Sequence, residues 1–162
     1  MTFKIGKRLS PKDVERLIEV HEKAKRGLGI LCTLTLFEVP VEEATRFGVV
    51  EGTRVDENLY RLTKFVEKPP RDELPSQGKV MVNAGYSVVS SELLSNIDEF
   101  LPARKVKLEE HLFPILAKMG KLAGYLTDLK IWIDVGTIKA LEEANRRIYT
   151  GEVIIPPPIK GE

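Results

Sequence analysis

The chain has 162 residues and a formal net charge of +1, with Lys and Arg interleaved with Asp and Glu. That length suits one domain with its own core, and the charge balance gives no basic stripe for nucleic acid or a membrane surface. The single cysteine, Cys32, excludes an intrachain disulfide, and with no signal-peptide pattern and no apolar run near the roughly 18 residues of a membrane span, a reducing, cytoplasmic setting is expected.

Ser10-Pro11-Lys12-Asp13 reads as a helix start, Ser10 capping and Pro11 in the first turn. Val14, Leu17, Ile18 and His21 follow at helical spacing, and Gly27 and Gly29 end the element. Residues 29–37 form a nearly unbroken apolar, β-branched run, which predicts a strand buried on both faces, as in a parallel sheet. Residues 47–50 and 59–66 predict two short strands joined through the polar, glycine-bearing segment 51–58. Segment 67–78 carries three prolines and reads as a surface loop. A strand over 79–90 is interrupted at Asn83-Ala84-Gly85, where a glycine signals a bulge or a close backbone approach. Ser90 or Ser91 caps a helix reaching about Phe100, and 108–119 forms another, ended by Gly120. Strands follow at 121–127 and 130–134, then a helix from Thr137 to about Tyr149. Residues 151–162, with Pro156-Pro157-Pro158, form a loose tail after a domain over 1–150. Mixed strands and helices argue for a three-layer α/β domain. Abundant Lys and Glu beside one glutamine, Gln77, follows a thermophile trend.

Four short elements carry the chemistry: Phe47-Gly48-Val49-Val50, Phe65-Val66-Glu67-Lys68-Pro69, Val82-Asn83-Ala84-Gly85, and Trp132-Ile133-Asp134-Val135-Gly136-Thr137. Glu67 and Lys68 close a strand before a proline, the position beyond strand ends where α/β sheets bind ligands. A carboxylate accepts hydrogen bonds from sugar hydroxyls, and a lysine neutralises a phosphate. Asn83 offers an amide donor and acceptor, while Ala84 and Gly85 leave the backbone approachable. Asp134 stands between an apolar strand and a helix start, where it serves equally as a turn residue or a Mg²⁺ ligand. His21 and His111 lack partners at metal spacing and read as helix surface or partial core.

In this order the four elements resemble the sugar-1-phosphate nucleotidyltransferase family, over about Leu9 to Tyr149. The resemblance implies a Rossmann-like nucleotidyltransferase domain. It places Gly48 close to the sugar, Glu67 on sugar hydroxyls, Lys68 on the sugar's phosphate, and Asn83 and Gly85 around the ring. Lys68 and Asp134 would be the catalytic pair, with Asp134 one of two aspartates that hold Mg²⁺. The implied reaction joins a hexose 1-phosphate to a nucleoside triphosphate and releases pyrophosphate. The family's Gly-rich, Arg-containing triphosphate loop, the lysine after it and its Gly-Asp metal element have no counterpart here. Gly6 is the sole glycine before Gly27. Lys107 and His111 also depart from the serine and acidic residue that guanylyltransferase-like relatives often carry there. The domain is therefore expected to be incomplete, lacking its N-terminal nucleotide-binding half. Triphosphate and Mg²⁺ would bind only with that half or a partner. The strand over 30–36 would present an open edge, favouring self-association or a complementing chain. The competing reading is a non-catalytic sugar-phosphate-binding or regulatory subunit.

Overall fold

The computed structural model describes residues 4–6, 11–101, 107–127, 132–134 and 138–152. In chain order the elements are β1 (Lys4–Gly6), α1 (Pro11–Leu28), β2 (Cys32–Pro40), a 3₁₀ turn (Val41–Arg46), β3 (Gly48–Arg54), β4 (Leu59–Glu67), a 3₁₀ turn (Arg71–Glu73) and β5 (Lys79–Val89). There follow α2 (Ser91–Ser95), α3 (Ile97–Phe100), a π-helical turn (Leu108–Leu112), α4 (Phe113–Lys118), β6 (Leu122–Leu126), β7 (Trp132–Asp134) and α5 (Ile138–Tyr149). The chain divides into two compact units, residues 11–128 and a smaller unit of residues 1–10 with 129–162. None of the described helices is long and apolar enough to cross a membrane.

In the larger unit, five strands close into a barrel in the order β2-β5-β3-β4-β6. The mixed α/β content is as expected, but the described strands of this unit close into a small barrel where a three-layer sheet is expected. β2 pairs antiparallel with β5 and parallel with β6. The apolar run does mark a strand buried on both faces, but it forms part of a barrel wall. Cys32, Leu34 and Leu36 face a core shared with Val50, Leu62, Phe65, Phe113, Leu116 and Leu122. Thr33, on the opposite face, meets α1 through His21. With neighbours on both sides, β2 has no open edge, so the pairing hazard expected there does not arise.

α1 starts at Pro11, where a missing N–H costs nothing. It ends at Gly29, whose N–H donates to the Lys25 carbonyl (3.0 Å) from a left-handed backbone, φ 67°. Gly27 lies inside the helix. Leu17, His21 and Ala24 are buried, while Val14 and Ile18 remain partly exposed. The buried stripe is thus rotated from the predicted one and includes the histidine. His21 is 1% exposed; its Nδ1 pairs with Thr33 Oγ1 (2.9 Å) and its Nε2 with Ser90 Oγ (3.0 Å). Burial holds its pKa below the usual imidazole value, Lys25 pushes the same way, and Glu22 opposes. The neutral ring is therefore the folded form. Its contribution to stability is complete above about pH 6.5, the unfolded-state value, and declines as pH falls from there towards the lower folded value. Urea unfolding should lose at most about 2 kcal/mol between pH 6.5 and 5 through this residue. His21→Gln should remove that part of the slope. Cys32 is inert for the same physical reason: burial pushes its thiol up to about 12.

β3 and β4 form the expected hairpin, though both strands run further than predicted and the turn shrinks to residues 55–58. The helix expected from Ser91 to Phe100 is broken at Asn96, whose Nδ2 donates to the Glu92 carbonyl (3.0 Å) and draws the backbone out of helical geometry. In the smaller unit, β1 pairs antiparallel with β7, Lys4 opposite Asp134 and Gly6 opposite Trp132. β1 is too short to register as hydrophobic periodicity. α5 follows, with Ala144 buried and Ile138 and Tyr149 exposed. The predicted caps Ser10 and Thr137 and most of the tail, residues 153–162, lie outside the described residues.

Candidate functional site

The register of three barrel strands assembles the site. Gly48 on β3 lies opposite Glu67 on β4. On its other side β3 pairs Val49 with Val82 and Val50 with Met81 on β5. One step on, Asn83 falls level with Gly48. Glu67, Gly48 and Asn83 therefore form one row across three strands, each neighbour about 4.8 Å from the next. Side chains alternate along a strand, so this row shares the face of the row beneath it, Phe65, Val50 and Met81. Phe65 and Val50 are buried, Met81 packs against the same cluster, and Phe113 stacks edge-on to Phe65 at 5.3 Å. The row is the polar rim directly above an apolar core.

Gly48 is the gap in that rim. A Cβ there would run into the Phe65 ring and lie 2.9 Å from Glu67 Oε2. The absent side chain lets the Phe65 ring and the Glu67 carboxylate close over the Gly48 backbone, which is buried beneath them. Neither the glycine nor the phenylalanine alone reveals this. The signal is the two-residue spacing from Phe65 to Glu67, which puts both on one face.

Asn83 and Gly85 belong to a bulge. The β2–β5 pairing jumps from Leu34–Ser87 to Leu36–Asn83, so residues 84–86 all stand opposite Thr35. Gly85 takes φ 80°, and its N–H donates to Asn83 Oδ1 (2.9 Å). Asn83 thus commits an acceptor lone pair to holding the bulge and keeps its NH₂ as a donor.

Lys68 has the most constrained backbone at the site. Its φ of 49° is the sole positive value among described non-glycine residues, and it precedes Pro69, a position that disfavours helical conformations. Its N–H donates to the Phe47 carbonyl (2.9 Å), which extends the hairpin ladder and holds the turn. The side chain leaves the strand end 66% exposed, with its ammonium 3.7 Å from Glu67 Oε1. Strain of this kind gathers at ligand-binding positions.

Glu67 is 23% exposed. Burial raises its carboxyl above the ordinary range; Lys68 pulls down, and Glu109 and Glu110 push up. These two belong to the π-helical turn, which leads into α4 and packs through Leu112 and Phe113 on the core below Phe65. Lys107 pairs with Glu110 at 2.6 Å. The His111 ring accepts from the Lys107 N–H (3.3 Å), so this histidine braces the turn. The acidic pair is a part of the site that the sequence elements do not reveal, because it approaches Glu67 only through packing of α4 on β4.

Of the residues named from sequence, Gly48, Glu67, Lys68, Asn83 and Gly85 are brought together. Asp134 stands in the smaller unit, where its backbone pairs with Lys4; its side chain lies outside the described residues. Among the described residues no three His, Cys, Asp or Glu side chains converge as a metal site. An open cleft of about 250 Å³ lies elsewhere, between α1 and the β3–β4 turn, lined by Arg16, Lys23, Asp56, Asn58 and Tyr125 among others. Its charges satisfy one another, Lys23 with Asp56 at 2.5 Å and Arg16 with Glu19 at 3.5 Å.

Residues 7–151 match the family described as nucleotidyl transferase. Among curated relatives, a glucose-1-phosphate adenylyltransferase of Halalkalibacterium halodurans is 35% identical over 143 residues, covering 86% of this chain and 34% of the relative. One from Desulfitobacterium hafniense is 34% identical, covering 97% of this chain and 41% of the relative. The chain thus spans between a third and about two fifths of these relatives' length. A crystal structure of apo UDP-glucose pyrophosphorylase superposes with TM-score 0.62 at 20% identity, covering 94% of this chain and 52% of that one. The UDP-glucose complex gives 0.63 at 19% identity, covering 93% and 54%. These two likenesses show a shared fold.

Proposed function

The chain belongs to the sugar-1-phosphate nucleotidyltransferase family, and from that premise we propose that it forms the sugar-phosphate-binding part of such an enzyme. The observation that carries this reading is the row Glu67–Gly48–Asn83 across three strands, with Lys68 at the strand end beside Glu67. A hexose lies along this row. Its hydroxyls donate to the Glu67 carboxylate and accept from the Asn83 amide. Its phosphate meets the Lys68 ammonium, which the strained turn directs outward. In the proposed reaction a phosphate oxygen of the sugar attacks the α-phosphorus of a nucleoside triphosphate, and pyrophosphate departs. Positioning and charge neutralisation supply most of the catalysis in such transfers. The contribution of this chain is to fix the attacking phosphate and offset its charge with Lys68. The 162 residues carry no Gly-rich phosphate loop, so we assign the triphosphate to polypeptide beyond them. Asp134 is the proposed Mg²⁺ ligand on this side, and magnesium there would offset charge on the phosphates.

The curated relatives make glucose 1-phosphate the first ligand to test. Calorimetric titration of the 162-residue chain should detect it binding without pyrophosphate release on addition of nucleoside triphosphates. Glu67→Gln keeps the shape and removes a charge-assisted hydrogen bond worth about 1.5–3 kcal/mol, so affinity should fall roughly 10- to 100-fold. The same variant should unfold at higher denaturant at neutral pH. The folded pKa of Glu67 is raised, so its ionised form costs stability above that value. No heat of binding in the wild type, or unchanged affinity in the variant, would remove this reading.

A further inference from the structure

Lys68 stands where the ladder between β3 and β4 runs out. Pro69 follows and has no N–H, so the last tie is the bond from the Lys68 N–H to the Phe47 carbonyl (2.9 Å). That bond holds a left-handed backbone, φ 49°, in front of a proline. On the facing strand the next residue is Gly48, which has no side chain to anchor the backbone. Phe47 supplies the anchor. Its ring is buried and lies on the reverse face of the sheet from the row, the face shared by Val49, Val82 and Phe37. The Phe37 ring of β2 meets it edge-on, with centroids 5.6 Å apart and planes at 89°. The Arg46 guanidinium stands 5.6 Å over the same ring and pairs with Glu43 at 3.7 Å. The Phe47 N–H donates to the Ala44 carbonyl (3.0 Å), which seats the residue against the 3₁₀ turn, itself docked through buried Val41 and Ala44.

We propose that Phe47 is a positioning residue for Lys68: its clamped ring fixes the carbonyl that holds the strained turn, and so aims the ammonium at the ligand's phosphate. The proposal rests on the sugar-phosphate reading of the row. Phe47 acts without touching the ligand, because its ring points away from the sugar. If the ring could shift, its carbonyl would move with it and the bond to Lys68 would lengthen. The residue before Pro69 would then relax toward the extended backbone it prefers. A relaxed ammonium samples many positions, and the ligand would have to order it on binding. Gly48 and Glu67 are held by their own register pair, and Asn83 by its pairing with Leu36. The two rings thus connect β2 to the phosphate end of the site and leave the sugar end alone.

Calorimetric titrations with glucose 1-phosphate and glucose, together with hydrogen exchange at the Lys68 amide, test this. The samples are the wild type, Phe47→Leu, Phe37→Leu, Lys68→Ala, and each leucine variant combined with Lys68→Ala. Both leucine variants remove the edge-to-face contact and keep an apolar side chain. Each should weaken glucose 1-phosphate binding about two- to tenfold, the fold-change equivalent of one such ring contact, and leave glucose binding unchanged. Each should speed exchange of the Lys68 amide. In the Lys68→Ala background neither should change affinity further. Phe37→Leu carries the test if Phe47→Leu fails to fold, since Phe37 lies on another strand and acts on the turn through Phe47. Thermal unfolding verifies that the titrated samples are folded. Unchanged affinity for glucose 1-phosphate in Phe37→Leu, with Lys68-dependent binding intact in the wild type, overturns this proposal alone. An equal loss for glucose and glucose 1-phosphate, or a loss that persists without the Lys68 side chain, overturns it too. Wild-type binding that does not depend on Lys68 removes both this proposal and the reading beneath it.

Discussion

Gly48→Ala should abolish glucose 1-phosphate binding and destabilise the chain by about 1–3 kcal/mol, the cost of forcing an extra carbon into a packed position. The added methyl meets the Phe65 ring and sits 2.9 Å from Glu67 Oε2. Phe65 cannot retreat, because it is 4% exposed and braced by Phe113 at 5.3 Å. The strain therefore falls on Glu67, which is pushed out of the row, and on β3, which must move from β4. Both effects disrupt the row. Thermal unfolding and calorimetry on the same sample measure the two losses. A variant that is destabilised yet binds normally would mean that the ligand does not use the row. Gly78 is the internal comparison: nothing lies within 4 Å of a Cβ there, though its φ of 101° carries its own backbone penalty. Gly78→Ala should therefore cost stability without touching affinity.

Lys68→Gly should raise stability and lower affinity together. A left-handed backbone costs a non-glycine residue roughly 1–2 kcal/mol, and the following proline narrows its options further. Glycine removes that cost, offset in part by its greater freedom in the unfolded chain, so a net gain of about 1 kcal/mol is expected. The loss of the ammonium should weaken glucose 1-phosphate binding roughly 10- to 100-fold. Lys68→Ala should lose the same affinity without the gain in stability, since alanine retains the strained backbone. The difference in denaturant midpoint between the two variants measures the strain, and their common affinity measures the charge. If both variants have wild-type stability, the turn is not strained in solution. If both retain wild-type affinity, the phosphate lies elsewhere.

The features of the site that alternate or turn could be read from sequence. Gly85 inside a strand pattern announced the bulge, because a residue without Cβ in such a run has few other uses. The β3–β4 hairpin followed from two apolar runs around a polar segment. The grouping of Gly48, Glu67, Lys68 and Asn83 came from the order of four motifs. What could not be read was set by packing. Burial of β2 on both faces is satisfied by a parallel sheet between helix layers and equally by a barrel wall with α1 outside it. The apolar run contains no information on which neighbour it takes. His21 sits among charged residues in sequence, yet its ring reaches Thr33 and Ser90 from a helix face that only the rotation of α1 defines. Glu110 lies far along the chain from Glu67, and its charge is felt there because Phe113 packs against Phe65. β1 and β7 find each other across nearly the whole chain through three residue pairs, too few for any periodic signal.

One row, Glu67–Gly48–Asn83, with Lys68 at its end, is proposed to receive a sugar 1-phosphate. The most direct measurement is a titration of the isotopically labelled chain with glucose 1-phosphate, followed by backbone amide chemical shifts. Saturable shifts should concentrate at Gly48, Glu67, Lys68, Asn83 and Gly85, with glucose alone moving the row but not Lys68. Shifts gathered instead around Arg16, Lys23, Asp56 and Tyr125, in the cleft beside α1, would contradict it.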